Sequence, residues 1–531
     1  MPTDCIPYRA TNYFSELICD YLDQKPELQD LYNRFPKLDN FEAQIKDKKL
    51  SFKEESRTVL VSSLKEQYQN LQTSELTLQN IEALKSNNTF TITTGHQLNL
   101  FTGPLYFLHK IVSTINLTKV LKEKYPSYEF VPIYWMASED HDFDEINYFN
   151  FRGKKIQWNR SDGGAVGRFD TDGLEAVFEI ISSEFGPGKY AEQLKQWFKD
   201  AYLNYDNLAD ATRYLANALF GDYGLVIIDA DDSDLKRLFV PQMQKELLEQ
   251  TAFSTVSSTN KKIETLEYKI QVNPREINLF YLNDNIRERI VFENETYTVL
   301  NTSISWTKEE LIQQLESTPE QFSPNVIMRP LYQEVILPNL CYIGGGGEMA
   351  YWFQLKENFE AQNIVFPILL LRNSVLIRSK KQSQKQASLQ ISNTDIFLKR
   401  ERFINKRVRQ ISNINIDFSK QVKHLEQQFK DLYALANQTD KSFLGAVEAQ
   451  EKKQIKGLIR LEKRLLKAQK RVLADEISRA TDLQDQLFPN KSLQERNTNF
   501  SGLYLEFGEL LIPELIKSLD PLLPEFTIIT I

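Results

Sequence analysis

Short apolar runs alternate with amphipathic helical patterns over the first 375 residues of the chain. Residues 90–94 form a β-branched run that ends at Gly95, and residues 131–136 form a second apolar run. Between them, Thr102-Gly103-Pro104 has the composition of a helix start, and the helical pattern continues to about Lys124. Because strands that alternate with helices form parallel sheets, the pattern predicts an α/β core. Further apolar runs at 224–229, 340–343 and 366–371 extend the predicted sheet.

Two stretches interrupt this alternation, at about 150–220 and about 250–325, and we interpret both as insertions into the core. The first is polar and glycine-rich before it becomes helical. The second contains residues 290–299, whose composition and alternation predict a β-hairpin.

Residues 376–487 are rich in Lys, Arg, Gln and Leu, and glycine nearly disappears. Apolar residues spaced 3-4-3-4 lie on both sides of a turn-like segment at 437–442, which predicts an antiparallel helical hairpin. A two-helix seam cannot bury itself fully, so we expect it to pack on a partner. The predicted domains are a core at 1–375, an α-helical coiled-coil domain at 376–487, and a C-terminal segment at 488–531 that packs back on the core. The spaced residues are Val422, Leu425, Phe429, Leu432 and Ala436, then Leu458, Leu461, Leu465, Ala468 and Val472.

Composition excludes several classes of protein. The 531 residues include 64 Lys+Arg and 72 Asp+Glu, a net charge of −8 that gives no global field for nucleic acid or an anionic membrane. The longest apolar run, about 364–371, is far shorter than the ~20 residues of a membrane span. The first residues carry no secretion signal, and three cysteines make no disulfide framework, so we expect a cytoplasmic protein. Basic residues concentrate at 380–409 and 451–471, which indicates either solvated helix faces or contact with phosphate.

The first segment with candidate chemistry follows the strand that ends near Thr94. A strand end, a glycine-containing loop and a helix N-terminus together favour an anion, and His96 adds a donor on the same turn. The alternative is a tight turn between strand and helix with no ligand. The candidate binding residues here are Gly95, Gln97, Thr102, Gly103, Tyr106 and Lys110, with His96 as a candidate catalytic residue.

The second segment, at 138–146, places five carboxylates around His141 just after a strand. Such a cluster can bind a metal, hold a substrate ammonium or supply a general base. The alternative is an acidic first turn of a helix, which the helix dipole also favours. No His-x-His spacing supports zinc, so we assign no metal ligands and predict Asp140, His141 and Asp142 to be catalytic.

Two further segments contribute candidate binding residues. Residues 344–347 are four glycines after a strand, but Arg372 stands where a dinucleotide site requires an acid, so we expect close backbone approach to another ligand. Arg329 can pair with a carboxylate or phosphate, or make an ordinary ion pair. No phosphate-binding G-x-x-x-x-G-K-[ST] loop and no G-x-S-x-G nucleophile motif occurs. The candidates are Arg329, Gly344, Gly345, Gly347 and Glu348.

In this order along the chain, these segments resemble the bacillithiol-biosynthesis cysteine-adding enzymes, a family of cysteine ligases. The resemblance implies a Rossmann-like core similar to class I aminoacyl-tRNA synthetases, with connecting-peptide insertions and a coiled coil that mediates homodimerisation. It implies addition of cysteine to the amine of glucosaminyl-malate, the last step of bacillithiol synthesis. His96 stands where many relatives have Gln. The matching stretches are Thr94-Gly95-His96-Gln97, 100–106, 139–146, 224–232, 271–276, 329–334, 344–355 and 487–496.

Amide formation from a carboxylate requires activation, because hydroxide is a poor leaving group. The implied chemistry therefore includes ATP, with the turn at 95–104 holding phosphate and His96 and Lys110 countering its charge. Asp140, His141 and Asp142 would hold the cysteine ammonium or deprotonate the sugar amine. Two other functions stay open: a metal-dependent hydrolase that uses His96, His141 and Asp140, and a scaffold protein whose coiled coil is the active part.

Overall fold

The computed structural model describes residues 4–160, 163–283 and 285–531. It divides into two units, one formed by the described residues up to 377 with 493–531, and one formed by 378–492. The described strands are β1 Asp4–Pro7, β2 Thr89–His96, β3 Glu129–Met136, β4 Tyr148–Phe151, β5 Lys154–Gln157, β6 Val226–Asp229, β7 Leu279–Asn283, β8 Ile286–Glu293, β9 Thr296–Val299, β10 Ser305–Trp306, β11 Phe322–Pro324, β12 Asn339–Gly344, β13 Ile368–Leu371, β14 Val375–Arg378 and β15 Glu525–Thr530.

Helices account for most of the remaining regular structure. Those before residue 378 are α1 Tyr8–Thr11, α2 Glu16–Leu22, α3 Asn40–Ser51, α4 Glu54–Gln67, α5 Glu75–Ala83, α6 Tyr106–Lys124, α7 Phe143–Ile146, α8 Leu174–Phe185, α9 Lys189–Tyr202, α10 Leu208–Phe220, α11 Ser233–Glu249, α12 Thr251–Thr265, α13 Lys308–Ser317, α14 Arg329–Ile336, α15 Gly346–Trp352 and α16 Lys356–Ala361. The helices after residue 378 are α17 Lys380–Ser388, α18 Arg400–Ile411, α19 Ser419–Ala436, α20 Lys441–Val472, α21 Ala474–Leu487, α22 Gln494–Asn497, α23 Phe500–Phe507 and α24 Leu511–Ser518.

The central sheet of the first unit is parallel, with strand order β13-β12-β2-β3-β6. The predicted α/β fold is confirmed, and each predicted apolar run supplies one of these five strands. The order reverses between β2 and β12, and open α/β sheets bind ligands at the carboxyl ends of strands beside such a reversal. In register, His96 pairs with Met136, Met136 with Asp229, and Gly344 with Leu371, so these five residues mark that edge.

The insertion at about 250–325 forms an antiparallel sheet of order β10-β9-β8-β7-β11. The predicted hairpin at 290–299 is confirmed, since β8 pairs with β9 from Ile290 opposite Val299 to Glu293 opposite Thr296. The other insertion contains the β4–β5 hairpin and helices α8 to α10.

Helix α6 begins later than the sequence predicts. Its N-cap position is Leu105, with no side-chain cap, whereas Thr102 lies in a short 3-10 turn. Phe101 and Thr102 have φ of 48° and 67°, so the helix cannot begin there. Asn499 fixes this turn, because its Nδ2 donates to the carbonyls of Phe101 and Gly103 at 2.7 Å each.

In the second unit, α19 and α20 form the predicted helical hairpin. Phe429, Ala436 and Val447 are buried between the two helices, and Leu425, Tyr433 and Leu444 pack against them. The predicted seam is wrong at Leu432, Leu461 and Val472, which are exposed, and Tyr433 takes the inward position next to Leu432. In the described part of the chain, no helix is long and apolar enough to cross a membrane.

Candidate active site

A cavity of about 690 Å³ lies at the carboxyl ends of the central strands, beside the reversal between β2 and β12. Seven basic side chains and three acidic side chains line it, so the site favours anions overall. Two of the acids are adjacent, after β3. The basic residues are Lys110, Arg275, Arg287, Arg289, Arg329, Arg372 and Arg496, and the acids are Glu139, Asp140 and Glu348.

Lys110 and Glu348 join α6 to α15 across the floor of the cavity. Lys110 Nζ lies 2.6 Å from Glu348 Oε2 and donates to the Gly95 carbonyl at 2.6 Å. Glu348 also accepts from the Gly345 backbone N–H at 2.8 Å and from the Tyr342 hydroxyl at 2.7 Å. Burial lowers the pKa of Lys110. Burial disfavours the Glu348 carboxylate, but Lys110 together with the hydrogen bonds from Gly345 and Tyr342 lowers the pKa of Glu348.

Arg372 follows β13 and is 3 % exposed. Its Nη2 donates to Glu495 Oε1 at 2.8 Å, and its guanidinium lies over the Tyr106 ring. Its Nε–H is buried and has no hydrogen-bond partner among the described residues. A Cβ built on Gly345, at the cavity wall, would lie 3.6 Å from this atom. The unpartnered N–H therefore points to an acceptor that the protein itself does not supply.

Arg329 begins α14 and lies near aromatic rings of β3 and β12, the two strands that flank β2. Its Cζ is 5.8 Å from the Trp135 ring centre and 5.7 Å from that of Tyr342, and Nη2 donates to the Tyr351 hydroxyl at 3.3 Å. Its pairing with a protein carboxylate, one of the two roles open from sequence, is not seen among the described residues. The aromatic rings hold the guanidinium at the cavity and leave it available to an anionic ligand.

His96 ends β2 and is neutral. Burial, and next the positive charge of Lys110, lower the pKa of His96 to about 3. Its ring packs near Tyr106 and Phe107, at 5.5 and 5.0 Å between ring centres. In the part of the chain that the structure describes, Nε2 is buried without a hydrogen-bond partner, and the residue lines the cavity. A neutral His96 can hydrogen-bond a ligand there, but it supplies no positive charge near pH 7.

The residues after β3 form the acidic side of the cavity. Asp140 accepts from Gln97 Nε2 at 2.9 Å and from the His141 backbone N–H at 2.7 Å. Burial disfavours the Asp140 carboxylate, but hydrogen bonds from Gln97 and from the His141 backbone N–H, and the charge of Arg287, hold its pKa well below the usual range. His141 Nδ1 lies 2.8 Å from Arg287 Nη1. Since arginine only donates, Nδ1 accepts, and neutral His141 carries its hydrogen on Nε2.

The insertion sheet contributes arginines that the sequence reasoning missed. Arg287 and Arg289 lie on β8, two residues apart and therefore on one face of the strand, and both line the cavity. Arg287 also stacks on Phe280, 4.1 Å from the ring centre. The spacing of two between these arginines is visible in the sequence. The contact of Arg287 with His141 is not visible there, because the two residues are 146 positions apart. Arg275, Arg372 and Arg496 were missed as well.

The cavity brings together eleven of the fifteen predicted site residues. They are Gly95, His96, Gln97, Tyr106, Lys110, Asp140, His141, Arg329, Gly345, Gly347 and Glu348. The other four, Asp142, Thr102, Gly103 and Gly344, are not among its lining residues, and Asp142 is exposed. Gly103 has φ +62°, and a Cβ there would lie 2.5 Å from Asn99 Cβ. The conformation of the turn therefore requires glycine at this position. Among the described residues, no three His, Cys, Asp or Glu side chains group as metal ligands.

Comparisons with known proteins cover the whole chain. The family described as "Bacillithiol biosynthesis BshC, N-terminal Rossmann-like domain" matches residues 1–373, and "Bacillithiol biosynthesis BshC, C-terminal coiled-coil domain" matches residues 375–531. The chain is 60% identical to a protein of Flavobacterium johnsoniae named "Putative cysteine ligase BshC" over 100% of both chains. Proteins of the same name from Christiangramia forsetii and Bacillus cereus strain ZK are 58% and 28% identical, over 100% and 93% of this chain and 99% and 94% of theirs.

One solved structure, a Campylobacter jejuni protein titled "putative arginyl t-RNA synthetase", covers 81% of this chain and 100% of its own. It is 12% identical, and its TM-score of 0.20 is too low to support an argument from that likeness.

Proposed function

This chain belongs to the bacillithiol biosynthesis BshC family, and from that premise we propose that it is a cysteine ligase. The proposed reaction joins the carboxyl group of cysteine to the amine of glucosaminyl-malate, the last step of bacillithiol synthesis. The observation that carries the proposal is that one cavity is lined by charges of both signs, with Lys110, Arg329 and Arg372 among the cations and Glu139 and Asp140 among the acids. Cysteine presents an ammonium, whereas malate and a nucleotide present anions.

We propose ATP as the co-substrate that activates the cysteine carboxylate. Transfer of AMP would release pyrophosphate, and transfer of the terminal phosphoryl group would release ADP. The unpartnered N–H of Arg372 fits an anionic ligand, and Lys110 with Arg329 supplies the positive charge. The glycines at 345 and 347 line the same part of the cavity.

In the second half of the proposed reaction, the neutral sugar amine attacks the activated carbonyl carbon. The C–N bond forms, the phosphate-containing leaving group departs with the electron pair of its C–O bond, and the amine loses a proton. Asp140 is well stabilised as a carboxylate, which favours a role in holding positive charge over a role as a base. His141 has its Nδ1 lone pair occupied by Arg287, so it could accept the proton only after that contact opens.

The test is product formation by the purified full-length protein with ATP, cysteine and glucosaminyl-malate. We expect a product whose mass equals that of the two substrates less one water, with one nucleotide consumed per amide. Omitting any one substrate should abolish it. Hydrolysis of glucosaminyl-malate without nucleotide would instead support the hydrolase alternative.

We further propose that the protein acts as a homodimer through its helical hairpin. Leu432, Leu461 and Val472 are 41%, 53% and 74% exposed on α19 and α20. Burying a leucine side chain is worth about 1.5–3 kcal/mol, so a second copy would gain by covering this surface. We place the reaction in the cytoplasm, where ATP is found and thiols stay reduced, and propose no nucleic-acid or membrane partner.

A further inference from the structure

Glu139 is the most buried carboxylate on the acidic side of the cavity. It is 9% exposed, whereas Asp140 is partly exposed and Asp142 lies outside the cavity and is exposed. It follows β3 by three residues, so the strand fixes its place at the carboxyl edge of the sheet. A carboxylate buried to this extent takes up a proton unless a cation is held beside it.

Lys236 supplies that cation from behind the cavity wall. It lies in the first turn of α11, is 1% exposed, and is not among the cavity-lining residues. Its Nζ is 2.5 Å from Glu139 Oε1, 3.4 Å from Asp231 Oδ1, and donates to the Glu320 carbonyl at 3.2 Å. Because Lys236 cannot reach a ligand directly, any effect on catalysis must pass through Glu139.

The ion pairs continue beyond Lys236. Asp231, in the loop after β6, accepts two hydrogen bonds from Arg168, from Nε at 2.7 Å and from Nη2 at 2.9 Å. Lys236 therefore lies between two carboxylates and is closer to Glu139, whereas Arg168 supplies a second cation to Asp231. Lys236 thus ties the ends of β3 and β6 and pairs with Oε1 of Glu139, a residue that lines the cavity.

We propose that Glu139 binds the α-ammonium of cysteine and that Lys236 is the positioning residue that keeps Glu139 oriented and ionised for this contact. The inference deepens the proposed function and rests on it. The chemistry favours such a residue, because the ammonium of cysteine is the charged group that can fix its orientation while the amine of glucosaminyl-malate attacks. A carboxylate beside the α-amine stabilises its ammonium form, which is not a nucleophile.

The charged and titratable neighbours of Glu139 define the expected pH dependence. Burial raises the pKa of Glu139, the charge of Lys236 opposes the rise, and Asp231 adds to it. Replacing Lys236 with Met removes the largest opposing charge, so protonation of Glu139 should move to higher pH. The groups that face Glu139 are Lys236, Asp231, Arg168, Arg287 and Tyr332, with Asp140 next to it in the chain.

The test compares wild type, Glu139→Gln, Lys236→Met, Lys236→Arg and the double variant Glu139→Gln/Lys236→Met. Cysteine binding without ATP is measured by calorimetry, and kcat/KM for cysteine is measured from pH 5.5 to 9. We expect Glu139→Gln to weaken cysteine binding by about 30-fold or more, with KM for glucosaminyl-malate unchanged within about twofold. Lys236→Met should lose about tenfold or more at pH 7 and recover as pH rises, and Lys236→Arg should keep most of the activity.

The double variant makes the test independent of folding effects. If Lys236 acts only through Glu139, then Lys236→Met should change cysteine binding by less than about twofold when Glu139 is already Gln. Three results would overturn the inference. They are additive losses of cysteine binding from the two substitutions, a pH profile that does not move in Lys236→Met, and unchanged cysteine binding in Glu139→Gln. A wild-type protein that binds cysteine but forms no amide would instead overturn the proposed function, so the two failures are distinguishable.

Discussion

The cavity of the α/β unit buries charged side chains, whereas the hairpin of the helical unit exposes apolar side chains. Both are departures from the usual pattern of charged residues outside and apolar residues inside. At the cavity, Lys110, Arg372 and Glu139 are charged and at least nine-tenths buried. On the hairpin, Leu432 and Leu461 are apolar and about half exposed. Each departure raises the free energy of the isolated chain. The buried charges support the proposal of ionic substrates, and the exposed leucines support the proposal of a dimer.

The first prediction concerns an ion pair in which both residues line the cavity. Lys110→Met removes the cation beside Glu348 and should lower the free energy of unfolding by about 3–5 kcal/mol, because Glu348 is left without its counter-charge. Chemical denaturation measures this. Lys46→Met, which breaks the exposed pair with Glu42, is the matched control and should change stability too little to detect. Equal effects of the two substitutions would contradict a low-dielectric cavity.

The second prediction concerns the exposed leucines. Leu432→Asp combined with Leu461→Asp should convert a dimer to a monomer at micromolar concentration, because both side chains would have to enter an apolar interface as charges. Light scattering measures the mass, and the melting temperature of the α/β unit should not change. Leu425 is unsuitable, since it packs inside the hairpin itself.

The matched control for the hairpin adds charge away from these leucines, with Gln427→Asp and Lys463→Asp. This variant should remain dimeric. A wild-type protein that is monomeric at the same concentration would refute the dimer proposal directly.

The third prediction is a pH effect on stability. Unfolded histidine takes up a proton near pH 6.5, whereas the pKa of His96 in the folded protein is about 3. Stability is therefore fully present above about pH 6.5 and falls as the pH drops toward 3, by up to about 1.4 kcal/mol per pH unit from this residue. His96→Gln should lose less stability than wild type between pH 6 and 4. Denaturation curves at pH 6 and pH 4 measure the free energy of unfolding of both proteins. Equal losses in wild type and His96→Gln would show that His96 is protonated in the folded state.

A second comparison at His96 separates charge from hydrogen bonding. Because neutral His96 supplies no charge, His96→Gln should retain most of the ligase activity, and His96→Ala should retain less. Equal activity of the two variants would mean that Nε2 does not contact a ligand.

The smallest expected effect is at Asp142. It is exposed and outside the cavity, so Asp142→Asn should change kcat/KM for cysteine by less than about twofold. Asp140→Asn, which disturbs the hydrogen bonds to Gln97 and His141, should cost about tenfold or more. A larger loss of kcat/KM in Asp142→Asn than in Asp140→Asn would support the catalytic role that the sequence predicts for Asp142.

The fold could be predicted well because its signals are local. The five central strands are apolar runs with helices between them, and the hairpin at 290–299 alternates with a period of two. The predicted start of α6 was wrong because the turn before the helix is fixed by Asn499, which lies nearly 400 residues away in the chain. The same limit applies to the hairpin seam, where a spacing of three or four cannot decide between Leu432 and Tyr433.

The candidate site could be predicted only in part, for the same reason. Residues at the ends of β2, β3 and β12 were found because strand ends are visible in the sequence. Arg287 and Lys236 were not, since their importance comes from contacts with His141 and Glu139 across 146 and 97 positions. Buried ion pairs between distant elements leave no periodic signal in either segment.

The central claim is that the protein activates the carboxyl group of cysteine and joins it to an amine. The most direct measurement uses cysteine with ¹⁸O in both carboxylate oxygens, together with ATP and glucosaminyl-malate. The amide retains one of the two labelled oxygens, and the account predicts that the other is recovered in AMP or in inorganic phosphate, one for each amide formed. Amide formed without ¹⁸O in either product, or no amide with all three substrates present, would contradict the account.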